Sequence, residues 1–278
     1  MAAIPAQATG SEPRAREPRG PVGRSVRDGL SSNFPSLAAI LTGVLGWEII
    51  GQVADVAYFP PFSAVVGRLV ALVASGVIIA NVFNSLVNFI VAFAFSVVVG
   101  VTVGLLMGAI PQVQAALGIY VNALLTAPAL VFAPIFFSVF GLGRGSIISL
   151  IIMYAIWLIT ISTADAVRGV DRQLLEMANS FMISRPQMFL KIMLPAALPR
   201  IMAGIRIGAG RGVKGMINGE MFIAAVGLGA VVQEGGRRFD AESVLAVLLV
   251  ILAVAIVVDR IVTTLDQWLT SWAPSSGR

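Results

Sequence analysis

Long apolar runs separated by short polar breaks dominate this chain. A helix crossing about 30 Å of hydrocarbon at 1.5 Å per residue takes about 20 apolar residues. Six stretches reach or approach that length: 36–54, 77–108, 117–140, 146–166, 198–225 and 242–265. Glu48 interrupts the first, and Arg206, Arg211, Lys214 and Glu220 interrupt the fifth. The pattern predicts an all-α polytopic membrane protein with six transmembrane helices. Residues 1–34 are polar and rich in proline, with Arg14, Arg16, Arg19, Arg24 and Arg27 among them. That stretch is expected to be a disordered cytoplasmic tail. It does not read as a signal peptide, because its basic region is too long and the apolar run after it is long enough to stay in the bilayer. Residues 35–270 are expected to form the membrane domain and 271–278 a short C-terminal tail.

Composition sharpens this picture. Of the 278 residues, 58% are hydrophobic and 12% charged, where soluble domains carry about 25% charged residues. There is no Cys and no His, which removes thiolate nucleophiles, disulfides and imidazole or thiolate metal sites. A net charge of +5 and a pI near 10.4 would suggest nucleic acid in a soluble protein. Here they read as a topology signal, because cytoplasmic loops are rich in Lys and Arg. Five arginines precede the first span, and Arg168, Arg172, Arg185, Lys191 and Arg200 lie between the fourth and fifth. An amino terminus inside and six crossings put both basic clusters, and both termini, on the cytoplasmic side.

The most informative polar segment is 171–200, DRQLLEMANSFMISRPQMFLKIMLPAALPR. Asp171 is a candidate N-cap, and Leu174, Leu175, Ala178, Phe181 and Met182 recur at helical spacing. Ser184 and Pro186 restart a second helix as cap and early-helix proline. Pro195 is expected to close or kink it. Periodicity alone leaves two roles open: a helix pair lying on the lipid interface, or a knob whose apolar face fills a groove of a soluble partner.

These residues resemble the EAA loop of the membrane subunits of ATP-binding-cassette (ABC) importers. That pattern runs Glu-Ala-Ala, three residues, Gly, nine residues, Ile, any residue, Leu-Pro. Here it stands as Glu176, Met177, Ala178, then Met182 at the glycine position, then Ile192, Leu194 and Pro195. The stretches 60–72, 167–178, 194–212, 219–229 and 238–252 are similar to the nitrate, sulfonate, taurine and bicarbonate group of such permeases, so the likeness covers roughly 36–270. The resemblance implies the ABC importer type I permease fold and a coupling role for 167–197. Glu176 would be the polar contact to an ATPase, and Ala178 and Phe181 would pack in its groove. Ile192, Leu194 and Pro195 would fix the return into the fifth span. Met182 either shifts the turn to Ile183 and Ser184 or projects into the ATPase. The implied partners are two cytoplasmic ATPase subunits carrying ATP and Mg, an extracytoplasmic solute-binding protein and a second permease copy. No cofactor is expected in this chain, and no catalytic or metal-binding residue is assigned.

No Gly-x-x-x-x-Gly-Lys-Ser/Thr occurs, so the phosphate-cradling loop belongs on another polypeptide. The glycine-rich stretches 141–146 and 208–215 read as a short loop and a close-packed helix. Gly100, Gly104 and Gly108 form a small-residue ridge suited to close helix packing. Ionisable groups at membrane depth face a cavity or a partner. Arg211, Lys214 and Asn218, at i, i+3 and i+7, share one helical face. With Glu220 they are the candidate translocation path. Either Arg211 or Lys214 pairs with Glu220 to lock packing, or the cations favour an anionic solute. Asn81, Asn84 and Asn88 make a second polar stripe, suited to interhelical hydrogen bonds or to lining a cavity. A secondary transporter or channel is the alternative class. It calls for acid relays or broken helices in paired halves, whereas this chain has one acidic residue in the fifth span and no repeat.

Overall fold

Glycine decides how this molecule packs. The computed structural model describes residues 28–54, 56, 58–223 and 226–272, with side chains from Ala38 onward. The predicted tail therefore lies outside the described residues up to position 27, as does the C-terminal stretch 273–278. Every regular element among the described residues is helical. Contacts divide the chain within α1 (Asp28–Ala54), between Trp47 and Glu48. The unit that follows holds α2 (Phe62–Ala74), α3 (Val77–Ala109), α4 (Pro111–Thr126), α5 (Ala133–Phe140), α6 (Arg144–Arg168) and α7 (Arg172–Ser180). It continues with α8 (Arg185–Met188), α9 (Leu194–Ile223), α10 (Leu228–Arg237) and α11 (Ala241–Leu269).

The centre is α6, clasped by α3 and α9. Gly100, Gly104 and Gly108 of α3 lie against Ile159, Thr163 and Val167 of α6, the register of two parallel helices. Gly204, Gly208, Gly212 and Gly215 of α9 lie against Ser162, Ile159, Ile151 and Tyr154, a register running the opposite way. Backbones approach this closely because the missing side chains leave room for them, the usual solution where lipid supplies no hydrophobic drive. The predicted glycine ridge is borne out, and so is the close-packed reading of 208–215. The apolar core continues from Phe89, Ile147, Ile151 and Met216 to Val247, Val254 and Val258 of α11.

The predicted count of six spans is not reached. Among the described residues four helical runs are long and apolar enough to cross a membrane: α3, α6, α11 and the continuous run Arg185–Ile223. The predicted span 117–140 is broken, with Pro111–Thr126 bent by 99° against Ala129–Phe140, and it makes a fifth only if the bent pair is taken as one. Pro128 explains the break: its ring excludes α geometry at Ala127, which is extended with ψ 137°. The predicted first span is represented by the shorter apolar stretch Ala38–Ala54. Glu48, which interrupts it, accepts hydrogen bonds from the Ser63 amide at 2.9 Å and the Ser63 hydroxyl at 2.8 Å, satisfying the start of α2. Helix α1 begins at Asp28, inside the stretch expected to be a disordered tail.

Residues expected to be loops also turn out helical. Most of 55–76, between the first two expected spans, belongs to α2, which turns into α3 at Gly76 with φ 76°. Most of the segment before α11 is α10. Nor does Pro195 end the second short helix. Phe189–Met193 form a π turn in which the Leu194 amide bonds the Phe189 carbonyl five residues back, and the helix runs on to Ile223. A π turn absorbs the hydrogen bond that Pro195, lacking an N–H, cannot make.

Candidate functional site

Helix α7 starts as predicted: the Asp171 carboxylate accepts the Gln173 amide at 2.8 Å. An i,i+4 ion pair joins Arg172 to Glu176 at 3.3 Å, with both side chains exposed. The helix turns Leu175 and Ala178 inward, and Ala178 is buried within the chain's own packing. The structure therefore corrects the expectation that Ala178 faces a partner. The apolar surface left outside is led by Met177, Phe181 and Met182, which are 62%, 78% and 93% exposed, with Leu174 less so at 39%. Met182 has φ 51°, so the left-handed turn stays at the motif's glycine position and is not moved to Ile183 and Ser184. Its amide bonds the Asn179 carbonyl at 2.9 Å. Past the turn, the Ser184 amide donates to Gln187 Oε1 at 3.3 Å, and Pro186 sits in the first turn of α8. Ile192 and Pro195 are half-buried, and Leu194 packs on Ala166, Val167, Ala197 and Ile201. These residues anchor the loop to α6 and α9.

Helix α9 has two unlike faces. Ala203, Arg206, Ile207, Gly210, Arg211 and Lys214 are exposed, a stripe at helical spacing. Arg206 pairs with Asp259 of α11 through bonds of 2.7 and 3.0 Å. Among the described residues Arg211 and Lys214 take part in no ion pair. Asn218, next along the stripe, donates to the Tyr154 hydroxyl at 2.9 Å.

The structure does not bring Glu220 together with these residues. It is 0% exposed on the opposite face, so its pairing with Arg211 or Lys214 is excluded. Its Oε2 accepts the Ser85 hydroxyl at 2.9 Å and the Gly229 amide at 3.0 Å. Ser85 Oγ in turn accepts the Leu228 amide at 2.9 Å, and Asn81 Oδ1 accepts the Gly227 amide at 2.9 Å. Three consecutive amides at the start of α10 are thereby held by α3 and α9. Nothing in sequence spacing pointed to Ser85, though the polar stripe on the second span did flag Asn81. Asn84 accepts from Arg144 of α6 at 2.5 Å, so Asn81 and Asn84 of this stripe bond between elements, whereas the buried amide of Asn88 has no hydrogen-bond partner among the described residues.

These features describe a helical protein with several helices long and apolar enough to cross a membrane. The family described as binding-protein-dependent transport system inner membrane component matches residues 96–271, and the chain belongs to that family. It is 32% identical over 166 residues to the Escherichia coli taurine transport system permease, a match spanning 60% of each chain. It is 28% identical over 241 residues to a putative aliphatic sulfonates transport permease of Bacillus subtilis, covering 86% of this chain and 87% of that one. The bicarbonate transport system permease of Synechococcus elongatus is 28% identical over 59% of this chain and 60% of its own length. The fold is similar to that in a solved inward-facing structure of the MetNI methionine ABC transporter, with TM-score 0.59 and 19% identity over 68% of this chain and 94% of that one.

Proposed function

We propose that two copies of this chain form the membrane core of an ATP-driven importer for a small anionic solute. Two cytoplasmic ATPases, which carry ATP and Mg, seat on the α7 loop, and a solute-binding protein docks at the opposite end. The termini lie in the cytoplasm. Closure of the ATPases pushes on α7, and the π turn and Leu194 pass that motion into α9.

The observation that carries this reading is the stripe on α9. An apolar span does not present Arg211 and Lys214 to hydrocarbon, where each charge costs at least ~2.5–3.5 kcal/mol. Their exposed face therefore borders water or a second copy, and cations there raise the local concentration of anions. Asn218 extends the path lining beside them, while Glu220 serves packing. The names of the relatives, taurine, aliphatic sulfonates and bicarbonate, support an anionic solute. On the α7 loop, Met177, Phe181 and Met182 are the apolar contacts and Glu176 the polar one.

The test is uptake into vesicles holding the permease, its ATPases and its binding protein, with short-chain sulfonates and bicarbonate as probes. Uptake that needs ATP and all three components supports the proposal. Uptake by the permease alone, as by a secondary transporter or channel, overturns it.

A further inference from the structure

Two non-glycine residues among the described ones have positive φ: Met182 at 51° and Phe239 at 56°. Both are large, apolar and almost wholly outside, at 93% and 91% exposure. They sit at opposite ends of the bundle, since α9 and α11 run from one to the other. Met182 belongs to the coupling loop, whereas no motif accounts for Phe239.

Phe239 stands where a helix C-terminus favours glycine. The Asp240 amide reaches back to the Gly235 carbonyl at 2.9 Å and the Phe239 amide to Gly236 at 3.2 Å, closing α10 with a left-handed residue. Glycine would adopt that conformation without strain. A phenylalanine so exposed gains little packing within the chain to offset it. The turn is also held rigidly. Asp240 accepts the Ser243 amide at 3.0 Å, the Ser243 hydroxyl at 2.6 Å and Arg68 at 3.0 Å, and Arg68 also donates to Ser243 Oγ at 2.8 Å. Burial opposes ionisation of Asp240, but the Ser243 and Arg68 hydrogen bonds prevail and hold its carboxyl below the ordinary value of 3.8. The clamp is therefore charged at neutral pH.

We propose that Phe239 is the anchor through which the extracytoplasmic solute-binding protein docks, inserting into an apolar pocket rimmed by carboxylates. This rests on the importer reading above. A fixed aromatic costs little entropy to bury, and such side chains dominate interfaces when seated in a pocket. The rim follows from charge. Arg238 is satisfied by Glu234 at 2.6 Å, while exposed Arg237 has no ion pair among the described residues and complements an acid on the partner.

The experiment measures binding-protein affinity for the permease–ATPase complex in nanodiscs, with a photo-crosslinking phenylalanine analogue at position 239 in parallel. Phe239→Gly relieves the backbone, so yield and basal ATPase activity stay at or above those of the parent. Affinity is expected to fall at least tenfold, and Phe239→Trp to restore most of it. Crosslinks are expected on the binding protein. Unchanged docking by Phe239→Gly, or crosslinks only to lipid or to a second permease copy, would overturn the proposal. Failure of the ATPase to associate with the permease overturns the importer reading and this proposal with it, whereas normal association with unchanged docking overturns this proposal alone.

Discussion

Helix α9 carries glycines and a buried acid on one face and cations on the other. On the buried face Gly204, Gly208, Gly212 and Gly215 meet α6, and Glu220 holds the start of α10. On the exposed face Arg206 reaches across to Asp259 of α11, while Arg211 and Lys214 take part in no ion pair among the described residues. A single helix thus joins a packing surface intolerant of bulk to a polar surface that no packing requires. The inward acid is committed to hydrogen bonds with Ser85 and Gly229, and of the outward cations only Arg206 is committed to an ion pair among the described residues.

The contrast breaks most readily on the packed side. A side chain at Gly204 meets Ser162 Cβ at 2.5 Å. Overpacking of this kind costs about 1–3 kcal/mol and sometimes more, so Gly204→Leu is expected to abolish recovery of folded protein from membranes, as size-exclusion profiles would show. Gly210, on the other face, has nothing within 4 Å, and Gly210→Leu should fold. Equal loss in both variants would erase the distinction between the faces.

Glu220→Leu strips the Ser85 hydroxyl and the Gly229 amide of their acceptor. Each buried unsatisfied group costs about 1–3 kcal/mol, so a fall in thermal midpoint of roughly ten degrees or more is expected, with residual transport in whatever protein assembles. Lys214→Met should leave the thermal midpoint within about a degree or two of the parent while cutting uptake of an anionic solute about tenfold, the scale of charge-steered association. Unchanged uptake would remove Lys214 from the path.

The smallest effect concerns pH. Because the Asp240 pKa is depressed on folding, the stability its clamp supplies is present above the unfolded value of 3.8 and is lost as pH falls through the folded value. Far-end stability, read by hydrogen exchange of the Gly235–Val244 segment, should be flat from pH 5 to pH 8 and decline only below about pH 4.

Much of this was legible in the sequence. Hydrophobic runs located α3, α6, α9 and α11 to within a few residues, Asp171 announced α7, and the EAA spacing singled out the loop. The break at Pro128 was missed because both sides of it are apolar, and hydropathy does not register a bend. Periodicity placed Ala178 with Phe181 and Met182 on one apolar face. The structure divides that face, since small Ala178 can approach the bundle where Phe181 cannot. Glu220 was grouped with Arg211 and Lys214 by sharing a span, yet on a helix with 3.6 residues per turn it lies about 180° around from Arg211 and about 120° from Lys214. The Gly227–Gly229 amides that hold its carboxylate come from another element, and no local pattern encodes that meeting.

The absence of cysteine offers the most direct test of the α9 face. Single variants Arg211→Cys, Lys214→Cys and, at an exposed apolar position of α3, Val98→Cys would be treated with a charged, membrane-impermeant thiol reagent in the assembled transporter. If the α9 stripe lines the solute path, the first two react, are slowed by transported solute, and outpace Val98→Cys by at least an order of magnitude. Labelling of Arg211→Cys and Lys214→Cys no faster than Val98→Cys would contradict it.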